Sequence, residues 1–167
     1  MTPVTARVAR VVRDLLGYDE QLIRLGRENY NRSDYDAGLI VVDATTPSTR
    51  AGNLESFDGD AEELSIGEIV TGDVTLDFYG DGAYSRAREV ELRLRSQDAY
   101  DLAKANAVHI QPPRTLTDVK ALTGGDYSDR WQLEMAVQYS PGIVIDTRRL
   151  ESAPIQVRTE RGVQYDG

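Results

Sequence analysis

The chain contains no cysteine, one histidine, one tryptophan and two phenylalanines among its 167 residues. Without cysteine there are no disulfides and no thiolate nucleophile, a usage that fits a reducing compartment. The lone histidine, His109, has no second His or Cys with which to build a zinc site, so any metal would need carboxylates alone. Ser-His-Asp chemistry could draw only on His109, and no GxSxG stands before a helix. No apolar run approaches the roughly 18 residues of a membrane span. The first residues lack the apolar core and small-residue cleavage site of a signal peptide. Basic patches interleaved with aromatics, the mark of single-strand binding, are missing as well.

What is present is an ordinary globular composition, 40% hydrophobic, of a length most simply read as one domain. The net charge of −9 is unevenly spread. Residues 1–32 carry six arginines against four acids, and residues 33–82 carry twelve acids against Arg50 alone. Residues 83–167 balance at twelve of each sign. An acidic middle argues against a groove that grips phosphates. It reads either as solubilising loops or as a repelling wall.

Two clean alternations dominate the pattern. Val70, Gly72, Val74, Leu76 and Phe78 predict a strand over 68–79, and Trp131, Leu133, Met135, Val137 and Tyr139 predict another over 129–139. Between them, Gly80-Asp81-Gly82 reads as a strand-to-helix turn, with a helix over 83–95 packing through Ala83, Ala87, Val90 and Leu94. Ser96 caps a second helix over 96–107, and a short strand at 108–110 stops before Pro112-Pro113. Ser140-Pro141-Gly142 turns the chain into a strand at 143–145. Near the start, Thr2 as cap and Pro3 as first residue open a helix with Val4, Val8, Val11, Val12 and Leu15 on one side. Arg7, Arg10 and Arg13 fall largely on the other side, and Gly17 ends or interrupts the helix. Leu22, Ile23 and Leu25 continue it or form a short second piece, and residues 37–45 form an apolar strand. Residues 46–65 read as a long loop or a hairpin extension, and 114–128 as a mobile loop around Gly124-Gly125. The expected fold is α/β of the α+β kind: a single mixed, mostly antiparallel sheet with helices on one face. Residues 1–146 form the domain; 147–167 form an extended, interface-forming extension.

Two acidic clusters invite a calcium reading, Asp58-Gly59-Asp60 with Glu62 and Glu63, and Asp77 with Asp81. Neither matches the spacing of a helix-loop-helix calcium loop, and no cofactor is implied. Among the nine tyrosines, Tyr18, Tyr30, Tyr35 and Tyr127 fall at loops or element ends where an interface could use them. Tyr79, Tyr84, Tyr100 and Tyr139 read as seals of the helix-sheet core.

Four phrases carry a resemblance: NYNR (29–32), TPSTRAGN (46–53), VTLDFYGDGAYSRAREVELRLRS (74–96) and DRWQLEMAVQYSP (129–141). In these, and in the order of elements over 4–146, the chain resembles the tailed-bacteriophage neck or tail terminator proteins. The resemblance implies a non-enzymatic virion protein, assembled in the host cytoplasm, with no membrane partner. Its copies, commonly six, close into a ring at the head-proximal end of the tail. The ring would touch the tail tube protein and the head-tail connector or other neck proteins, and genomic DNA would pass its lumen without specific binding. The acidic 54–63 loop and the long C-terminal stretch depart from a compact terminator. The runner-up is a connector or tail-completion protein of another neck layer, often dodecameric beside the portal; a small metal-binding or enzymatic domain stands behind it.

Within that expectation the polar sheet face, with Asp73, Thr75, Asp77, Gln132, Glu134 and Gln138, is the candidate subunit contact or lumen wall. The Arg7, Arg10, Arg13 stripe would meet acids of the next subunit, and Asp58 and Asp60 ride on the loop that could reach it.

Overall fold

The computed structural model describes residues 2–26, 32–44, 49–113, 115–119, 121–123 and 126–146. The first helix, α1 (Val4–Leu16), buries Val8, Val11, Val12 and Leu15. It begins one residue later than the sequence predicts: Pro3, extended at φ −63° and ψ 152°, is the cap, without a side-chain cap bond. Gly17 closes it in the left-handed region at φ 61°, where the Tyr18 amide donates to the Arg13 carbonyl at 3.0 Å. The chain does not resume as a helix. After one 3-10 turn, held by Asp19 accepting from the Gln21 amide, it enters β1 (Ile23–Leu25). A short helix, α2 (Arg32–Asp36), then leads to β2 (Ile40–Ala44).

Next come two long strands, β3 (Thr49–Asp58) and β4 (Glu63–Tyr79). Two helices follow, α3 (Ala83–Arg93) and α4 (Gln97–Ala105), the second capped by Ser96 accepting from the Ala99 amide at 3.3 Å. The short β5 (Val108–Ile110) ends before the prolines, as expected. The stretch 114–128, expected as a loop, instead holds β6 (Thr115–Asp118), β7 (Ala121–Thr123) and β8 (Asp126–Ser128). Gly124-Gly125 lie outside the described residues. Pairing to a long neighbour stabilises β6, a gain no local pattern announces. The chain continues through β9 (Arg130–Tyr139) and β10 (Gly142–Asp146).

One eight-stranded, mixed and mostly antiparallel sheet organises most of the described residues, in the order β1-β2-β4-β9-β5 with β6 also on β9. The strands β7 and β8 pair with each other in a separate two-stranded sheet. Only β1 against β2 is parallel. Register places Val74 opposite Met135, Leu76 opposite Leu133 and Phe78 opposite Trp131 on one face. Against it α1, α3 and α4 lay Val8, Val11, Val12, Ala87, Val90, Ala99 and Ala103. Each fully buried Val, Leu or Phe side chain contributes about 1.5–3 kcal/mol, so this face fixes the helices. The 80–82 turn works as its glycines suggest, with φ 79° at Gly80 and φ 73° at Gly82. Arg86 reaches back from α3 and donates to the Tyr79 and Asp81 carbonyls at 2.6 and 2.7 Å.

The long strand β4 has two jobs. Residues 74–78 pair with β2 and 70–79 with β9, whereas 63–71 pair with β3 and 63–67 with β10. Its first half therefore runs beyond the helix-covered sheet as the centre of a three-stranded arm. The 46–65 stretch is thus a hairpin extension at its described residues, not a loop. A register shift between Arg50 and Gly52 marks where β3 joins the arm.

Candidate subunit interface

The arm is paired through its backbone and open through its side chains. Phe57 faces Leu64, which faces Ile145; next to them Ile66 faces Ile143. These five share one face, the continuation of the helix-covered side but beyond the helices. Phe57 is 60% exposed and Ile143 57%. Ile66 and Ile145 are exposed too, as are Leu54 and Val144 on the opposite face. Exposed apolar side chains grouped in this way, with Glu55 opposite Ile66 on the same face, make the arm a candidate interaction surface. Sequence reasoning missed these residues. Two signals pointed to them: Leu64, Ile66 and Val70 carry the β4 alternation upstream, and Ile143-Val144-Ile145 form an apolar run.

The polar face behaves differently from the expectation of one free side. Thr75 and Asp77 are buried, as is Val41, which lies opposite Asp77. Arg130 donates from Nε and Nη2 to Asp77 at 3.3 and 3.1 Å, and the Gln132 amide donates to it at 3.0 Å. Burial would lower the Arg130 pKa, but the hydrogen bonds and charge of Asp77 outweigh it and hold the guanidinium above its usual value. The Arg130 guanidinium also sits 5.3 Å over the Tyr79 ring, and Tyr35 meets Tyr79 edge-on at 4.9 Å. Asp77 and Gln132 are therefore committed within the subunit. Glu134 is exposed, and Asp73 and Gln138 are half-buried nearby, Glu134 opposite Thr75 and Gln138 opposite Thr71. The pairing of Asp77 with Arg130 also separates it from the calcium reading with Asp81, and no cluster of three or more metal-ligating side chains occurs among the described residues.

The arginine stripe divides three ways. Arg7 donates to the Ala107 carbonyl at 2.8 Å, tying α1 to the turn after α4. Arg13 is held by Asp14 at 2.8 Å and Glu20 at 3.4 Å, and the Asp14 hydrogen bond and charge raise its pKa. Arg10 is exposed, with no ion-pair partner among the described residues. At the far end of the arm, Asp58 caps the hairpin turn, accepting from the Asp60 and Ala61 amides at 3.0 and 3.2 Å. Asp60 itself is exposed at the tip.

The tyrosines exchange roles relative to expectation. Tyr18 is structural, donating to the Gly38 carbonyl at 2.7 Å, and Tyr35 packs on Tyr79. Tyr79 lies on the polar face, whereas Tyr139 does pack on the core. Tyr84 and Tyr100 are half exposed rather than sealing the core, the Tyr84 ring tilted 58° against Trp131 with centroids 4.7 Å apart. Tyr30 and the side chain of Tyr127 lie outside the described residues.

The described surface thus offers an exposed apolar arm and an exposed Arg10, whereas Asp77 and Arg130 satisfy each other within the subunit. No significant match is found among curated proteins. The family model of the phage neck terminator proteins matches residues 3–161, running past Asp146 through most of the C-terminal stretch that had looked like a departure. The chain belongs to the phage neck terminator protein family.

Proposed function

We propose that copies of this chain close into a ring at the head-proximal end of a phage tail, stop tail-tube polymerisation there and join the tail to the head. The observation that carries this reading is the arm: a neck protein whose sheet extends past its own helices and leaves an apolar face for another chain. A head-to-tail contact between unlike surfaces closes when its rotation divides the circle. Six copies is the number the family likeness favours. One rim then matches the end of the tube, and the other offers a surface to the connector. The less buried part of the polar face, with Glu134 exposed and Asp73 and Gln138 half-buried, would line the lumen or the subunit contact. Acid there would keep DNA from sticking as it passes. The protein acts by shape and contact, without catalysis.

The test is a capping assay with tail tube protein of the same phage. Tubes exposed to this chain are expected to stop elongating when fresh tube protein is added. Elongation at the untreated rate would count against the reading. Capped tubes carrying twelve copies per end would move the chain to a connector layer.

A further inference from the structure

We propose that the arm tip docks on a second copy of this chain, seating Phe57 in the groove between α1 and β1 and setting the tip acids against Arg10. The inference rests on the ring reading above and names the two surfaces that would form its repeating contact. The knob is Phe57, 60% exposed, flanked on β3 by Glu55 and Asp58 and followed by Asp60. The hole is a groove of about 210 Å³ floored by Ala6, Ala9, Ile23 and Leu25 and rimmed by Arg10 and Arg13. A cavity of roughly 150 Å³ takes up a benzene ring, so a phenyl side chain fits.

Charge sets the orientation. Glu20, also on the rim, is paired with Arg13, so it leaves Arg10 uncompensated at the mouth of the groove. A ring edged with carboxylates meets a small apolar slot edged with a guanidinium, complementary in both shape and sign. The two surfaces lie on different elements, so the contact is heterologous and repeats from copy to copy.

The absence of cysteine makes the contact testable in the full chain. Asp60→Cys and Arg10→Cys variants are mixed under oxidation and, in parallel, with a short bismaleimide; a disulfide needs Cα atoms within about 7 Å. The mixture is expected to give a covalent dimer that neither variant gives alone, and the double variant a ladder rising to the full ring. Cross-linking of Asp60→Cys with itself would show a two-fold arm-to-arm contact and overturn the proposal. If light scattering shows the ring assembled but the mixture stays uncross-linked, the ring reading survives and the contact lies elsewhere. A chain that never assembles, alone or on tube ends, removes both. Phe57→Ala supplies a second readout, since its side chain is exposed in the subunit. It should melt like the parent and assemble roughly tenfold more weakly; undiminished assembly would contradict the docking.

Discussion

Arg130 and Asp77 lie in adjacent strands, two residues out of register and so on the same face, and close over the polar side of the sheet with Gln132. Removing the arginine leaves the buried Asp77 carboxylate accepting from the neutral Gln132 amide. Arg130→Ala is expected to cost about 3 kcal/mol, a Tm drop of roughly 6–12 °C for a chain of this size. Arg130→Lys should lose less, because it keeps the charge and gives up the fork. Calorimetric Tm values within 1 °C of the parent for both, roughly 0.5 kcal/mol or less, would show the pair to be idle. Gly80 poses a backbone question instead. It sits at φ 79°, and a Cβ there would lie 2.2 Å from the Tyr35 carbonyl oxygen. Gly80→Ala therefore adds left-handed strain and a clash with main chain. A loss of about 2 kcal/mol, read from urea unfolding, is the expected outcome.

Among the elements, the arm is the most open to solvent where its hairpin turns, with residues 53–61 all exposed. In the free chain, amides of β3 over 54–58 and of β10 should exchange with deuterium much faster than those of β4 over 74–78. On assembly the arm amides should slow while the core changes little; an arm already as protected as the core in the free chain would argue against a partner-seeking role. The same contrast explains which elements were legible in sequence. The alternations of 70–78 and 131–139 mark β4 and β9 because each buries one face under helices. In the arm Glu68 interrupts the alternation and acids crowd the hairpin, so the stretch reads equally as loop. The strand β1 hid behind Ile23 and Leu25, which suit a helix as well until β2 pairs with them. Asp77 could be placed on the polar face, but not its burial, since Arg130 stands 53 residues away. Of the candidate site, the arginine stripe and acidic tip were legible as charge. The apolar arm that gives them a purpose was not.

At the level of the whole molecule, the helix-covered sheet holds the buried core, and the arm leaves Phe57, Ile143 and Val144 exposed. The proposed ring needs both, a subunit with its own core and a contact made only with other copies. The charge pattern is consistent with this division, with arginine on α1, acid along the arm, and a net charge of −9 that would oppose non-specific association of free subunits. The decisive quantity is therefore the mass of the purified chain in solution, taken by light scattering or mass photometry across a range of concentrations and again with tail tubes added. A discrete closed oligomer of six copies, alone or on tube ends, is the expected result. A chain that stays monomeric at every concentration and ignores the tubes would contradict the assembly of a terminating ring.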